Sequence, residues 1–431
     1  MIKNEYEKII EDSKKATDLD PKNRNIIKHV ILNVIEQTGK GAVLSSSMMQ
    51  PIYTYMKELE FDSAQISFWF GSDAEVIVRE IQNKKESDSF RAILKQYKFD
   101  TSNENKEKYN AYQDVYIKAN NVVSNLKVDD DEKDYGVAHY TRKWVSEKLL
   151  FNECSNEECP NSILQLSSIS GANDPKEGKT LIDYFLGNTF EHEQNNDNSD
   201  RQAFISCFTF NHNHLNQFRL YGKEDDKECT GLSLVLKDTF FANQEFLIDR
   251  VNKRHTLYRC VYIDPKSHNI ISVGQRDEYT FYTKGRYSEY EKEAKFIPYK
   301  EKIIKVMEKT KKAFSELEKS IKNVKKEDLK LIPELLINLR YLVKHSAFKE
   351  EQECRIIRIE KTNHSDVKKD GERKYVEATN IRGHVKKIYF GPCVMKIGDF
   401  KKNLKKKGLG GIICEKSGLP YHSNKPKKGK K

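Results

Sequence analysis

Two glutamates and an arginine alternate in the segment Phe348–Glu360, a pattern that could support acid–base chemistry. If this segment is a strand from about Glu351 onward, Glu351, Glu353 and Arg355 share one face. Like charges at close range raise each other's pKa, so such a carboxylate pair is unfavourable unless it is used. We therefore expect a pocket around Glu353. A solvated edge strand with a charged face has the same pattern, and this stretch alone favours that simpler interpretation.

Two polar segments earlier in the chain could line such a pocket. His139–Thr141 ends a predicted strand, where the histidine could face a cleft or bond the backbone inside the core. Asn173–Glu177 carries the residue types of a turn. Its two carboxylates could ligate a cation, but they supply too few oxygens for a calcium loop. Taken alone, this second segment is a turn.

The segment Ala203–Phe210 is predicted to be a buried strand. Alternation places Ser206 on one face of this strand and Cys207 with Thr209 on the other. The chain contains no Gly-x-Ser-x-Gly elbow, Walker loop or Gly-x-Gly-x-x-Gly run. This argues against a serine hydrolase and against the usual phosphate-cradle and Rossmann sites.

The elements that must position these residues follow a helical N-terminal part. Residues 1–127 have helical spacing of apolar residues, and the acidic stretch 128–134 is interpreted as a domain boundary. Residues 135–422 mix short strands with helices, which indicates an α+β domain. Helices from Tyr290 to about Val324 and from Pro333 to His345 are predicted to form an insertion over about 290–346.

Composition and charge narrow the class of protein. The chain has 431 residues, of which 37% are hydrophobic and 33% charged, and its 21 Phe and 22 Tyr can form buried cores. The net charge is +11, and residues 401–431, with 11 lysines and one glutamate, supply +10 of it. We interpret this basicity as a solvated tail (423–431 at its end) rather than a binding face, with weak nucleic-acid contact as the alternative.

Cysteine usage and hydropathy bear on the compartment. The eight cysteines form no Cys-x-x-Cys pair, so no metal site is predicted and a reducing compartment is favoured. No run of about 18 apolar residues suggests a membrane span. The N-terminal segment lacks the apolar stretch of a signal peptide. We expect a cytoplasmic protein, with secretion into a host by a route that needs no signal peptide left open.

Taken in order, the motifs resemble those of a widespread, largely uncharacterised prokaryotic domain family. The family motifs are His-Tyr-Thr, Asn-Asp-Pro-x-Glu, Ser-Phe-Ser, Trp-x-x-Tyr-Gly and Glu-x-Glu-x-Arg, and the resemblance covers about residues 135–422. Phe218 stands where the family has Trp, and Ser-Cys-Phe-Thr from Ser206 replaces Ser-Phe-Ser. That family in turn resembles the ADP-ribosyltransferase superfamily. This resemblance implies a split β-sheet domain that takes NAD as its substrate.

The resemblance also implies catalytic roles. Glu353 would hold the 2′-hydroxyl of the nicotinamide ribose and stabilise an oxocarbenium-like transition state. Glu351 would orient or deprotonate the acceptor, and Ser206 would support Glu353. A fixed carboxylate beside developing positive charge, with a second carboxylate as base, suits the loss of nicotinamide as the leaving group.

The same resemblance implies a set of residues that bind NAD. His139 would bond the ribose hydroxyls, and Tyr140 and Thr141 would border the nicotinamide. Asn173 and Tyr221 complete the set of cofactor-binding candidates.

The sequence therefore predicts an N-terminal helical module followed by an ADP-ribosyltransferase-like α+β domain with a helical insertion. The expected activity is transfer of ADP-ribose from NAD to a protein or RNA acceptor, as a toxin, effector or phage-defence enzyme. NAD glycohydrolysis at the same site is the first alternative. A non-catalytic module that binds nucleic acid through the Lys-rich tail is the second.

Overall fold

The computed structural model describes most of the chain from residue 89 onward. The described residues are 89–133, 136–151, 162–169, 174, 176–187, 201–224, 226–241, 255–278 and 289–421, with the backbone alone at 103, 130, 131 and 289–295. The chain divides into two compact units, one of Met1–Lys98 with Glu245–Asn252 and one of Phe99–Gln244 with Lys253–Lys431. In the first unit, residues 89–96 are helical, and the rest of the predicted N-terminal helices lie outside the described residues.

The predicted domain boundary at 128–134 differs from this division. Helix α1 (Lys106–Asn125) belongs to the second unit and packs along the long helix α6 (Glu289–Lys322). The acidic stretch is not an exposed linker, because Glu132 is 2% exposed and pairs with the buried Arg259. An acidic run resembles a linker only when its charges are solvated, and this one meets a buried cation.

Helices and strands alternate irregularly along the second unit, which has an α+β fold. The remaining helices are α2 (Asp130–Lys133), α3 (Lys143–Phe151), α4 (Thr180–Leu186), α5 (Leu215–Tyr221), α7 (Ile332–Leu335), α8 (Ile337–Arg340) and α9 (Ile397–Lys406). The helix predicted from Tyr290 to about Val324 is confirmed as α6. The helix predicted over Pro333–His345 is wrong in its second half, where a strand begins at Val343. No helix in the described ranges is both long and apolar enough to cross a bilayer.

One large sheet and one small sheet contain the described strands. The strands are β1 (Val137–Thr141), β2 (Ile163–Ser168), β3 (Arg201–Thr209), β4 (Leu232–Leu236), β5 (Leu257–Arg259), β6 (Val261–Asp264), β7 (Asn269–Val273), β8 (Val343–His345), β9 (Glu353–Lys361), β10 (Lys368–Asp370), β11 (Arg373–Asn380), β12 (Val385–Phe390) and β13 (Ile413–Lys416). The large sheet runs β10-β11-β2-β3-β1-β4-β12-β13, with β9 bridging β3 and β5, and the small sheet runs β7-β6-β8.

The large sheet divides beside β3. Along one edge, β3 pairs with β9 over its full length from Arg201 to Thr209. Along the other edge, β2 pairs only near Phe204 and Ile205, whereas β1 pairs at Thr209. On this edge, β2 pairs with the first half of β3 and β1 pairs with its last residue. The two pairings leave a gap beside residues 206–208.

The two faces of the large sheet bury different side chains. One face carries Phe204, Phe208 and Ile356 in the largest apolar cluster, which α3 and α9 cover. The opposite face carries Ala138 and Tyr140, which pack with Phe218 of α5 in a smaller cluster. Alternation along each strand separates the two sets, and Glu353 and Arg355 of β9 belong to the second face.

Candidate active site

The pairing of β3 with β9 fixes which side chains surround Glu353. Thr209 lies directly opposite Glu353, and Cys207 lies opposite Arg355. Opposed residues of an antiparallel pair project to the same side, so these four side chains share one face. Glu353 is the first residue of β9 and is 4% exposed. A buried carboxylate needs charged or hydrogen-bonding partners, and this one has several.

Arg355 holds Glu353 from within the same strand. Its Nε donates to Glu353 Oε1 at 2.7 Å, and its Nη2 donates to Oε2 at 3.1 Å. The two Nη atoms also donate to the Glu177 carboxylate at 2.6 and 3.0 Å, and Nη1 donates to the Tyr341 carbonyl at 2.6 Å. The planar guanidinium therefore joins two carboxylates and a carbonyl, which fixes its orientation and with it that of Glu353.

Lys344 of β8 reaches the same point from the small sheet. Its ammonium donates to Glu353 Oε2 at 2.7 Å and also contacts the carboxylate of Glu351. The Lys344 side chain is 5% exposed, and that of Glu351 is 11% exposed. One buried cation therefore bridges the two glutamates that the sequence placed together.

Glu351 does not lie on the strand, contrary to the predicted alternation. It ends a 3₁₀ turn, Ser346–Glu351, and Gln352 adopts a left-handed conformation with φ 46° and ψ 49° before β9 begins. The Glu351 carbonyl accepts hydrogen bonds from Thr209 Oγ1 at 2.7 Å and from Gln217 Nε2 at 3.3 Å. The tertiary contacts, rather than strand periodicity, bring Glu351 to Glu353. A left-handed non-glycine residue is strained and occurs often at functional sites.

The two carboxylates have pKa shifts of opposite sign. Burial alone would raise the pKa of Glu353, but Arg355 and Lys344 outweigh it and hold that pKa far below its usual range. Burial and then the Glu353 charge raise the pKa of Glu351, against the opposing effect of Lys344. One carboxylate is therefore firmly ionised, while its neighbour holds a proton more readily. Such pairs suit a division between charge stabilisation and proton transfer.

Cys207 and His139 are neighbours at the gap in the sheet, but their side chains lie on opposite faces, and the His139 ring packs against Phe208. Cys207 is an exposed residue, yet burial raises the pKa of its thiol well above its usual value, and that thiol donates a hydrogen bond to Glu353. His139 Nδ1 lies 2.9 Å from the Cys207 carbonyl oxygen, and burial lowers the pKa of His139. Cys207 therefore joins His139 to Glu353 across the gap in the sheet.

Tyr221 also reaches the predicted site. Its hydroxyl donates to Glu351 Oε1 at 3.4 Å, and burial followed by the Glu353 and Glu351 charges raises its pKa. The structure therefore brings together three predicted residues, Glu353, Glu351 and Tyr221, whereas the His139 ring lies on the other face of the sheet beside Phe208. Asn173 lies outside the described residues.

Ser206 and Tyr140 take positions other than those expected. Ser206 lies opposite Ile356 on the apolar face of β3, so it cannot support Glu353. The Tyr140 hydroxyl donates to the Asn211 carbonyl at 2.9 Å and accepts from the His214 amide at 2.9 Å. Tyr140 is 7% exposed, so it is part of the core rather than the wall of an open site. Its neighbour Thr141 is buried as well.

Sequence reasoning missed several residues that contact the carboxylates. Cys207 and Thr209 share a strand face, as alternation predicts, but Ser206 was the residue predicted to support Glu353. Glu177 was visible as the last residue of the Asn-Asp-Pro-x-Glu motif, although its partner was not. Lys344 had no signal, because it fell within a predicted helix.

Gly274 gives a prediction about the backbone of Glu353. A Cβ at position 274 would lie far inside van der Waals contact of the Glu353 carbonyl oxygen, which accepts a hydrogen bond from the Cys260 amide at 3.0 Å. Gly274→Ala should lower the free energy of unfolding by about 1–3 kcal/mol, as for other overpacked sites. Urea unfolding measures this loss.

Gly383→Ala is the matched control, because a Cβ there meets nothing within 4 Å. Its effect should stay within about 0.5 kcal/mol. Equal stability of the two variants would contradict the close approach of Gly274 to Glu353.

Comparisons with known proteins leave the site to be judged on its geometry. No protein-family model, no curated protein and no solved structure matches the chain. Among the described residues, no group of three or more His, Cys, Asp or Glu is placed to hold a metal ion.

Proposed function

We propose that the chain transfers ADP-ribose from NAD to a macromolecular acceptor, with Glu353 and Glu351 as the catalytic carboxylates. The observation that carries this proposal is the convergence of two glutamates on one buried cation, Lys344, next to the exposed Cys207. An ionised, rigidly held carboxylate can stabilise a cationic ribosyl transition state. A neighbouring carboxylate with a raised pKa is a stronger base than an ordinary glutamate.

The reaction divides between the two carboxylates. The bond between the ribose anomeric carbon and the nicotinamide nitrogen breaks, and its electron pair leaves with nicotinamide. Glu353 stabilises the positive charge that develops on the ribose. The acceptor's nucleophile then forms a bond to the anomeric carbon and gives its proton to Glu351. These roles require the ribose to reach Glu353 next to Cys207, which is exposed and whose thiol donates a hydrogen bond to Glu353.

An ADP-ribosyltransferase-like arrangement would place NAD in the gap beside β3. His139 lies at this gap, and its lowered pKa keeps the ring neutral at pH 7. With the Nδ1 hydrogen donated to the Cys207 carbonyl, Nε2 is left as an acceptor for a ribose hydroxyl. Tyr221 borders the acceptor side through its bond to Glu351.

The test measures nicotinamide release from NAD by the purified chain, with and without cell lysate. The Glu353→Gln variant is assayed in parallel. Lysate-dependent release that is lost in the variant, together with labelling of a lysate component from labelled NAD, is the expected result. Release that needs no lysate would overturn transfer in favour of NAD hydrolysis at the same site. Absence of release, with no NAD binding by calorimetry, would overturn the use of NAD.

A second proposal concerns nucleic-acid contact, and helix α9 favours it. Phe400 and Leu404 anchor this helix in the core, while its outer face exposes four lysines: Lys401, Lys402, Lys405 and Lys406. The first part of the predicted solvated tail, from residue 401, is therefore a helix with a basic outer face. Residues 422–431 lie outside the described residues. A helix that carries four exposed lysines matches the charge of a phosphate backbone.

Replacing these four lysines by glutamine should weaken duplex DNA binding and reduce its salt dependence. Each phosphate contact contributes about 0.9 to the slope of log K against log salt, so the slope should fall by about 3–4. Fluorescence anisotropy between low and moderate salt measures it.

The matched control replaces four exposed lysines of α6: Lys311, Lys312, Lys319 and Lys322. If the slope of log K against log salt falls equally in both quadruple variants, the charge of the whole chain rather than α9 drives binding.

A further inference from the structure

Lys344 stands between the two carboxylates of the site as a buried cation. Its ammonium contacts both Glu351 and Glu353. Burial on its own would lower the pKa of Lys344, but the charges of Glu353 and Glu351 reverse this effect and raise it above its usual value. The side chain is therefore protonated at neutral pH, which rules it out as a nucleophile and leaves it an electrostatic and geometric role.

The two carboxylates depend on Lys344 to different degrees. Glu353 keeps two hydrogen bonds from Arg355 whether or not Lys344 is present. The Glu351 carboxylate contacts Lys344 and the hydroxyl of Tyr221, the latter at 3.4 Å. Loss of the ammonium would thus leave Glu353 anchored, but Glu351 would face the negative charge of Glu353 without a cation in contact.

We propose that Lys344 is a positioning residue for Glu351, which it holds beside Glu353 and keeps ready to take the acceptor's proton. The catalytic part of this inference rests on the proposed function. The charged and titratable groups around Glu351 are Lys344 from β8, Glu353 and Arg355 from β9, Tyr221 from α5 and Cys207 from β3. Of these, Lys344 is the cation in direct contact with Glu351.

A titration that needs no substrate tests the electrostatic part. In protein labelled with ¹³C at glutamate carboxyls, the Glu351 signal is assigned as the one that Glu351→Gln removes. Lys344→Met removes the charge but keeps an unbranched side chain. A neighbouring charge shifts a carboxyl pKa by about 1–3 units, so the Glu351 midpoint should move up by at least about one pH unit.

An activity measurement tests the catalytic part. A base must be ionised to act, so a raised midpoint moves the acidic limb of the pH profile for transfer to higher pH. At pH 7, transfer to the acceptor should fall about tenfold or more relative to nicotinamide release. Glu353 remains anchored, and water takes the ADP-ribosyl groups that the acceptor does not, so free ADP-ribose makes up the difference. Lys322→Met removes an exposed lysine from the surface pair with Glu318 and should change neither quantity.

A second variant guards against a folding defect. Lys344→Met leaves two neighbouring buried carboxylates without their shared cation, and Lys344→Met with Glu351→Gln removes one of those charges. The double variant should be more stable to urea than Lys344→Met alone, since a buried unpaired charge costs more than its absence. If the double variant is no more stable than the single variant, the coupling of Lys344 to Glu351 is wrong.

The remaining outcomes separate this inference from the proposed function. A wild-type chain that turns over NAD, with a Glu351 midpoint unmoved in Lys344→Met, would overturn the inference alone. A wild-type chain without NAD turnover would overturn the proposed function, while a raised Glu351 midpoint would still support the positioning role of Lys344. Equal losses of transfer and nicotinamide release, without a shifted acidic limb, would overturn the catalytic role.

Discussion

Glu353→Gln is expected to reduce nicotinamide release from NAD by at least about 100-fold, the scale of losing one electrostatic contact to a transition state. The amide carries no charge to stabilise a cationic ribose. It also cannot accept from Arg355 and Lys344 at both of its positions, because one of them becomes an N–H₂ donor. Initial rates at saturating NAD measure the loss.

Glu360→Gln is the matched control for this prediction. Glu360 lies on the same strand, pairs with Arg358 and has a side chain that is 18% exposed. Its replacement should leave the rate within a factor of about two, as for partly exposed pairs. Urea unfolding checks that both variants fold. If Glu353→Gln does not fold, Glu353→Asp, which shortens the side chain by one methylene, replaces it in the rate measurement. A folded Glu353 variant with wild-type turnover would remove Glu353 from the mechanism.

Arg355→Met is expected to lower the free energy of unfolding by about 3–5 kcal/mol, the usual cost of removing one partner of a buried ion pair. Arg355 is 2% exposed and serves Glu177, Glu353 and the Tyr341 carbonyl at once. Without it, the Glu177 carboxylate, whose side chain is 6% exposed, loses its ion-pair partner. Urea denaturation at pH 7 measures the effect.

Two comparisons make the Arg355 prediction specific. Arg358→Met removes an arginine of the same strand whose side chain is 28% exposed, and it should cost no more than about 1 kcal/mol. Adding Glu177→Gln to Arg355→Met removes one stranded charge and should recover part of the loss. If Arg355→Met lowers the free energy of unfolding no more than Arg358→Met does, the contacts of Arg355 with Glu177 and Glu353 contribute little to stability.

The predictions that succeeded rest on local pattern. The 3.6-residue spacing of apolar residues located α6, and the mixture of strands and helices gave the α+β class. Strand alternation correctly separated Ser206 from Cys207 and Thr209. Alternation could not say which of the two faces carries Glu353 and Arg355, because that depends on the register between two strands about 150 residues apart in the sequence.

The predictions that failed depended on tertiary contacts. Glu351 was assigned to the strand, but the left-handed Gln352 ends the alternation one residue before β9. The acidic stretch before β1 is predicted to be a domain boundary, because the buried Arg259 that pairs with Glu132 lies more than a hundred residues away in the sequence. Lys344 reaches the site through the pairing of β8 with β6, which no short pattern encodes.

The left-handed turn at Gln352 separates the two glutamates mechanically. Glu353 is fixed by the β3–β9 ladder, whereas Glu351 belongs to a 3₁₀ turn that the ladder does not include. Sequence change in loops is tolerated far better than in a sheet. The Ser346–Glu351 turn can therefore change in sequence, by natural selection or by design, while the ladder keeps Glu353 in place.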